Sequence, residues 1–210
     1  MTEIIPRYEF RIFAPDLRWF GEKLTAIASF GRYRESRELY LVSAHTETFN
    51  VKVRDDKLDI KERVDTVNGL ERWKPVLKAE FPVGKKVLQD KILPFLGMEI
   101  KEPDTENMSL QECIRFLEET DPHIAPVHII KKRYGYRVDD AMLEIADVYV
   151  NGSHIMTVSA ESENDQTVHR LRDRLGLGAE ENVNYVVAIK RILGWLPLPA
   201  SSVYNVLSRR

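Results

Sequence analysis

The chain has 210 residues, 43% hydrophobic and 30% charged, which is enough apolar side chain for a sizeable core without staples. Its 31 Lys and Arg against 33 Asp and Glu leave a net charge of −2, without the basic excess that holds nucleic acid by its phosphates, so no nucleic acid partner is expected. The single Cys113 excludes an internal disulfide, a four-cysteine zinc site and a CxxC redox pair.

Taken in chain order, residues 7–13 alternate charged and apolar side chains, the period-2 pattern of a two-faced strand. Residues 16–29 place Leu17, Phe20, Leu24 and Ile27 on one helical stripe. Residues 49–54 read as a strand with Lys52 and Arg54 on one face. The polar link Asp55-Asp56-Lys57 suits a hairpin into the next strand, 58–61. A further strand is predicted over 77–81, and a helix over 84–96 that Pro94 interrupts. Ser109-Leu110-Gln111-Glu112 is a capping box, and the helix it opens turns Cys113, Ile114 and Leu117 to one side, which makes Cys113 a small core residue.

The second half repeats the strand type. Residues 131–138 carry Lys131, Arg133 and Arg137 on one parity and Tyr134, Tyr136 and Val138 on the other. Residues 142–150 need one register slip near Ala146 if Glu144 and Asp147 are to share a face. The strand at 158–163 ends in the paired Glu161 and Glu163. Helices over 165–175 and 182–193 stop at Gly176 and Gly194, both in the C′ position. About seven mostly antiparallel strands, grouped toward both ends with helices between and after, read as α+β. With no repeat or linker, residues 1–210 read as one domain.

No run approaches the roughly 18 apolar residues that a membrane-spanning helix needs, so no membrane partner is expected. The opening Met1-Thr2-Glu3-Ile4-Ile5-Pro6 does not read as a signal peptide, and a cytoplasmic location is the default expectation. Short catalytic signatures are missing: there is no GxxxxGK[ST], HExxH or GxSxG, and Gly176-Leu177-Gly178 lacks the third glycine of GxGxxG. His45, His123, His128, His154 and His169 show no ligand spacing and read as surface or core residues. Trp19, Trp73 and Trp195 can serve as stacking platforms but read more simply as core.

What stands out is the polar face of these strands, mainly Arg, Lys and Glu sorted by strand. Taken singly, each is a solvated face whose cross-strand ion pairs are worth little. Taken together, a sheet closed with the charged face inward makes a tunnel of cations with a cluster of carboxylates, its apolar faces turned out toward covering helices.

The order of these elements resembles the CYTH superfamily, the triphosphate tunnel metalloenzymes. It comprises a charged first strand, Leu39-Tyr40-Leu41, the basic Lys52-Val53-Arg54, Leu58-Asp59-Ile60-Lys61, Lys78-Ala79-Glu80, Lys131-Lys132-Arg133, Glu161-Ser162-Glu163 and a closing helix at Asn184-Tyr185. The resemblance spans about 7–193. It implies an antiparallel closed β-barrel of about eight strands with helices packed outside, enclosing a tunnel that takes a triphosphate with Mg2+ or Mn2+. In that family, members hydrolyse tripolyphosphate, thiamine triphosphate or RNA 5′-triphosphate ends, or cyclise ATP to cyclic AMP.

Carried over by position, the phosphate ligands are Arg11, Lys52, Arg54, Lys61, Lys78 and Arg133, and the metal ligands are Glu9, Glu161 and Glu163. Glu161, Glu163 and Lys61 form the implied catalytic set. Arg7 departs from the family pattern, standing where the first glutamate of ExExK is expected. A guanidinium offers no oxygen to a hard cation, so Arg7 either grips an extra phosphate oxygen or reaches solvent from the strand end. The charge logic holds regardless of the family. A triphosphate needs a ring of cations, and carboxylates beside it call for a metal between them.

The expectation is a metal-dependent hydrolase of inorganic tripolyphosphate or a small organic triphosphate. The alternatives are a polyphosphate- or nucleotide-binding module with a degenerate metal site, an adenylyl cyclase, and a charge-laced sheet with no tunnel. Assembly as a homodimer is left open.

Overall fold

The computed structural model describes residues 5–198; Met1 to Ile4, which make up most of the opening segment weighed above as a leader, and residues 199–210 lie outside the described residues. The strands are β1 (Arg7–Ala14), β2 (Ser29–Ser43), β3 (Phe49–Arg54), β4 (Lys57–Val67), β5 (Leu70–Glu80), β6 (Val83–Gly84), β7 (Asn107–Met108), β8 (Ile124–Val138), β9 (Ala141–Val150) and β10 (Ser153–Ser162). Eight of them close into an antiparallel barrel in the order β1-β10-β9-β8-β2-β3-β4-β5, while β6 and β7 pair separately. Closure is what disposes of the edges: every long strand has a partner on both sides.

Two-residue turns set the register of three hairpins. Asp55-Asp56 (φ 52° and 58°), Asn68-Gly69 (51° and 79°) and Asn151-Gly152 (46° and 90°) each hold both residues in the left-handed region, as the right-handed twist of the flanking strands requires. The first turn is thus shorter than Asp55-Asp56-Lys57, since Lys57 already pairs with Arg54.

The outer face of the barrel is apolar and covered in two places. Phe10, Ile12, Leu143, Ile145, Val158 and Ala160 pack beneath α1 (Phe20–Ile27) and α5 (Asp165–Arg174). Leu41, Val51, Leu58 and Ile60 pack beneath α4 (Leu110–Thr120) and a helical run made of α2 (Lys85–Val87), a π turn (Leu88–Ile92) and α3 (Leu93–Phe95). Ser109 and Glu112 cap α4 reciprocally, and Cys113 is buried beneath it.

The inner face changes character along the barrel. At one end it carries Glu9, Arg11, Glu38, Lys52, Lys131 and Glu144. Two residues further along the same parity it becomes Phe13, Tyr40, Val42, Ile129, Ala146 and Val148, which pack against α6 (Tyr185–Ile192). The closing helix therefore covers one end of the barrel interior, and the charged half lies toward the other.

Three sequence expectations change. Residue 29 opens β2 rather than ending α1. This strand, expected only at Leu39-Tyr40-Leu41, reaches back fourteen paired positions along β8 and brings Arg32, Arg34 and Glu38 inside. Strand β9 pairs with β8 and β10 without a slip, so Glu144 faces the cavity and Asp147 faces outward onto His154. The strand expected over 77–81 is eleven residues long and bulged at Val76, where Ile60 pairs with Leu77 but Lys61 pairs with Pro75.

Candidate functional site

A cavity of about 240 Å³ lies inside the charged half of the barrel. Its wall carries eight Lys or Arg side chains against three Glu, and Asn184 and Tyr185 of the α6 N-terminus form its floor. Arg11, Lys52, Arg54, Lys61 and Arg133, five of the six basic residues expected from the sequence, are brought together here with Glu9 and Glu161. Lys78 is not: it pairs with Asp59 and so keeps the inner-face parity, but it is exposed and does not line the cavity, and beyond the Val76 bulge Pro75, Trp73 and Glu71 continue that face.

The deepest group is one the sequence did not single out. Glu38 is fully buried, accepts from Lys131 Nζ at 2.9 Å, and lies 3.4 Å from Lys52 Nζ and 3.8 Å from Arg133. Burial works against its charge, but Lys131 and Lys52, with Arg133, hold its carboxyl far below the usual range. Burial lowers the ammonium groups of Lys131 and Lys52, with Glu38 opposing the change. Lys131 also donates to Tyr40 Oη at 2.8 Å and sits 3.6 Å above the Tyr185 ring centre.

Above the floor, Arg11 Nε donates to Glu9 Oε1 at 2.7 Å, and its guanidinium lies 3.6 Å from Glu144 and stacks 4.7 Å above Tyr185. Burial again opposes the charge of Glu9, and Arg11 with Lys61 lowers it. Glu71 and Trp73, also missed because their stretch was not read as strand, complete this side. Glu71 accepts from Arg63 at 2.6 Å, from Trp73 Nε1 at 3.0 Å and from Asn184 Nδ2 at 2.9 Å, and so ties β4 and β5 to the floor.

Several polar atoms on this wall have no partner. Arg133 Nε and Tyr185 Oη are buried without a hydrogen bond, and Lys61 and Arg32 make no ion pair among the described residues. Unpaired buried donors beside a cation surplus are uncommon in proteins unless a ligand or solvent meets them.

The mouth holds the carboxylates expected to bind metal. Glu9 and Glu161 stand directly opposite each other in the β1–β10 register. Burial and the charge of Glu9 raise the Glu161 carboxyl above its ordinary range, opposed by Lys61 and Arg11. Two such oxygen donors suit a hard cation, since Mg2+ is commonly held by one or two carboxylates plus substrate phosphates and water. Glu163 lines a pocket of about 420 Å³ at this mouth together with Arg7, Glu9, Lys61 and Glu161. It is half exposed beyond β10, and Arg7 bridges outward across the mouth, 3.6 Å from Glu161 and 3.9 Å from Glu163. Arg7 is partly exposed, as expected of a strand-end residue reaching solvent, and also lies beside the two glutamates.

The closed eight-stranded antiparallel barrel is a fold shared with solved structures. Among solved structures, the chain is similar to the PH1012 protein from Pyrococcus horikoshii OT3, with 14% identity and a TM-score of 0.50 over 86% of this chain and 98% of that one. It is similar as well to HpAC1 from Hippeastrum, described as an adenylyl cyclase candidate with a dominant triphosphatase activity, with 13% identity and a TM-score of 0.50 over 91% and 98%. No protein-family model matches the sequence, and no curated protein matches it. Among the described residues, no helix is long and apolar enough to cross a membrane.

Proposed function

We propose that the cavity binds the phosphate chain of inorganic tripolyphosphate or a small organic triphosphate and hydrolyses it. One observation carries this reading: on the wall of the cavity, Lys61 and Arg32 make no ion pair among the described residues and Arg133 Nε makes no hydrogen bond. A phosphate chain supplies several negative charges and many acceptor oxygens, which is what such a wall lacks. The description of HpAC1 as a triphosphatase agrees with this choice.

In this reading Arg11, Lys52, Arg54 and Arg133 grip the phosphates in the interior, and Lys61 neutralises charge building on the transferred phosphoryl group. Glu161, whose carboxyl is raised, takes the proton from the attacking water at its carboxylate oxygen, and Glu163 orients that side of the mouth. The attack breaks a phosphoanhydride bond, so tripolyphosphate gives phosphate and pyrophosphate. Glu9, Glu161 and Glu163 are the residues that would hold Mg2+ or Mn2+, which when bound neutralises phosphate oxygens. Lys78, exposed outside the wall, is assigned no part.

A second reading has its own observation. Arg7 places a guanidinium 3.6 Å from Glu161 and 3.9 Å from Glu163, where a metal would otherwise approach them, and this favours a module that binds polyphosphate without turning it over.

The deciding experiment measures products from tripolyphosphate and from ATP with Mg2+, with Mn2+ and with chelator, alongside thermal stabilisation. Metal-dependent phosphate release supports the hydrolase. Stabilisation in chelator without any product supports the binding module, and cyclic AMP with pyrophosphate from ATP would replace hydrolysis by cyclisation. No product and no stabilisation would remove the triphosphate reading.

A further inference from the structure

At the closed end of the barrel, away from the phosphate cavity, two turns bring together residues that lie far apart in sequence. We propose that His45, Asp121 and His123 form a transition-metal site of the zinc class. His45 Nε2 lies 2.7 Å from Asp121 Oδ2 and His123 Nδ1 lies 3.1 Å from Asp121 Oδ1, and one ligand atom from each of the three residues falls within 4.8 Å of the others. Two imidazoles on separate turns thus address different oxygens of one carboxylate. Zinc–ligand bonds of about 2.0–2.1 Å in a tetrahedral site put neighbouring ligand atoms roughly 3.3 Å apart, so a small opening of the present contacts admits the ion.

The backbone holding these side chains is fixed from several directions, as a binding site requires. Asp121 ends α4 with its N–H on Leu117, and the His123 N–H donates to Asp121 Oδ1 at 2.8 Å. The two turns are joined by the Ala44 N–H on the His123 carbonyl at 3.0 Å. The buried Lys190 clamps the first turn by donating to the carbonyls of Ala44 and Thr46. Gly97, at φ +71°, leaves room for His45: a Cβ there would meet the His45 Cβ at 2.9 Å.

The donor set selects the metal. Two imidazole nitrogens and one carboxylate suit Zn2+, Co2+ or Ni2+ better than Mg2+, which prefers oxygen throughout. The side chains are partly exposed, so the site takes three protein ligands and leaves the fourth position to water, a staple across the closed end of the barrel. This proposal is independent of the phosphate reading.

The test uses metal-stripped, tag-free full chain titrated with Zn2+ by calorimetry and with Co2+ by visible absorption. One Zn2+ per chain, a tetrahedral Co2+ spectrum and a higher Tm with metal are expected. His45→Ala and His123→Ala should each weaken Zn2+ binding at least tenfold and abolish the Co2+ spectrum, with the metal-free Tm confirming that each variant folds. His128→Ala, at an exposed histidine outside both the cluster and the cavity, should bind Zn2+ as the parent does. Absence of the Co2+ spectrum in the parent, parental affinity in both histidine variants, or loss of binding in His128→Ala would each overturn the proposal.

Discussion

Glu38 Oε2 accepts a 2.9 Å hydrogen bond from Lys131 Nζ at a depth where neither side chain is more than 3% exposed. The same carboxylate serves Lys52 and Arg133, so it acts as a resident anion that lets three cations share the barrel floor. Removing it leaves buried positive charge with no partner. Glu38→Gln should therefore cost roughly 3–5 kcal/mol in urea unfolding at neutral pH, a loss that tripolyphosphate partly restores by supplying negative charge. A variant as stable as the parent would mean that the floor lysines are neutral or solvated.

The pH dependence of that difference has a definite sign. The Glu38 carboxyl is held far below its ordinary value of 4.5, so its contribution is complete above that pH and declines as the solution becomes more acid. The stability gap between parent and Glu38→Gln should narrow by about 1.4 kcal/mol for each pH unit below 4.5. Urea unfolding of both proteins from pH 7 to pH 3 measures it, and a constant gap would contradict the assignment.

Cavity-wall cations and the expected but exposed lysine separate cleanly. Lys61→Ala and Arg133→Ala should each weaken tripolyphosphate binding about ten- to hundredfold, the worth of a charge-assisted contact. Lys78→Ala should leave it unchanged. Calorimetric titration in chelator decides this, and equal losses in all three would mean that Lys78 swings into the wall when ligand enters.

Glu161 should show its raised carboxyl directly. In chelator, its negative charge opposes phosphate, so Glu161→Gln binds tripolyphosphate more tightly than the parent at high pH. As pH falls through the raised value the parent protonates and the two affinities converge. With Mg2+ or Mn2+ the same variant should lose phosphate release. An affinity ratio that does not change with pH would take Glu161 away from the ligand.

Arg7 is tested by restoring an oxygen donor. Arg7→Glu removes the guanidinium that holds Glu161 and Glu163 and adds a carboxylate opposite Trp73 in the β1–β5 register. Mn2+ affinity, followed by electron paramagnetic resonance, should rise at least about tenfold. Unchanged affinity would show that Arg7 does not stand in for the metal's charge.

Alternation along 7–13, 49–54 and 131–138 was enough to establish paired strands with basic inner faces, because a two-residue period obliges every second side chain onto one side. The same local rules placed the Ser109 capping box and the C′ glycines Gly176 and Gly194, the latter two at φ 74° and 76°. The sequence thereby determined which residues share a charged face, while the resemblance of the element order to a known family is what implied that Arg11, Lys52, Arg54, Lys61 and Arg133 belong together.

Only the tertiary structure decided the rest, since it depends on non-local pairing. Lys78 shares the inner-face parity of Asp59 yet is left exposed beyond the cavity, and the long pairing of β2 with β8 carried Glu38 inside. Packing of α6 on Phe13, Tyr40 and Val148 covered one end of the barrel interior. His123 lies two residues from Asp121, but His45 reaches them only because the ends of β2 and β8 are neighbours in the closed barrel, a proximity that no spacing along the chain encodes.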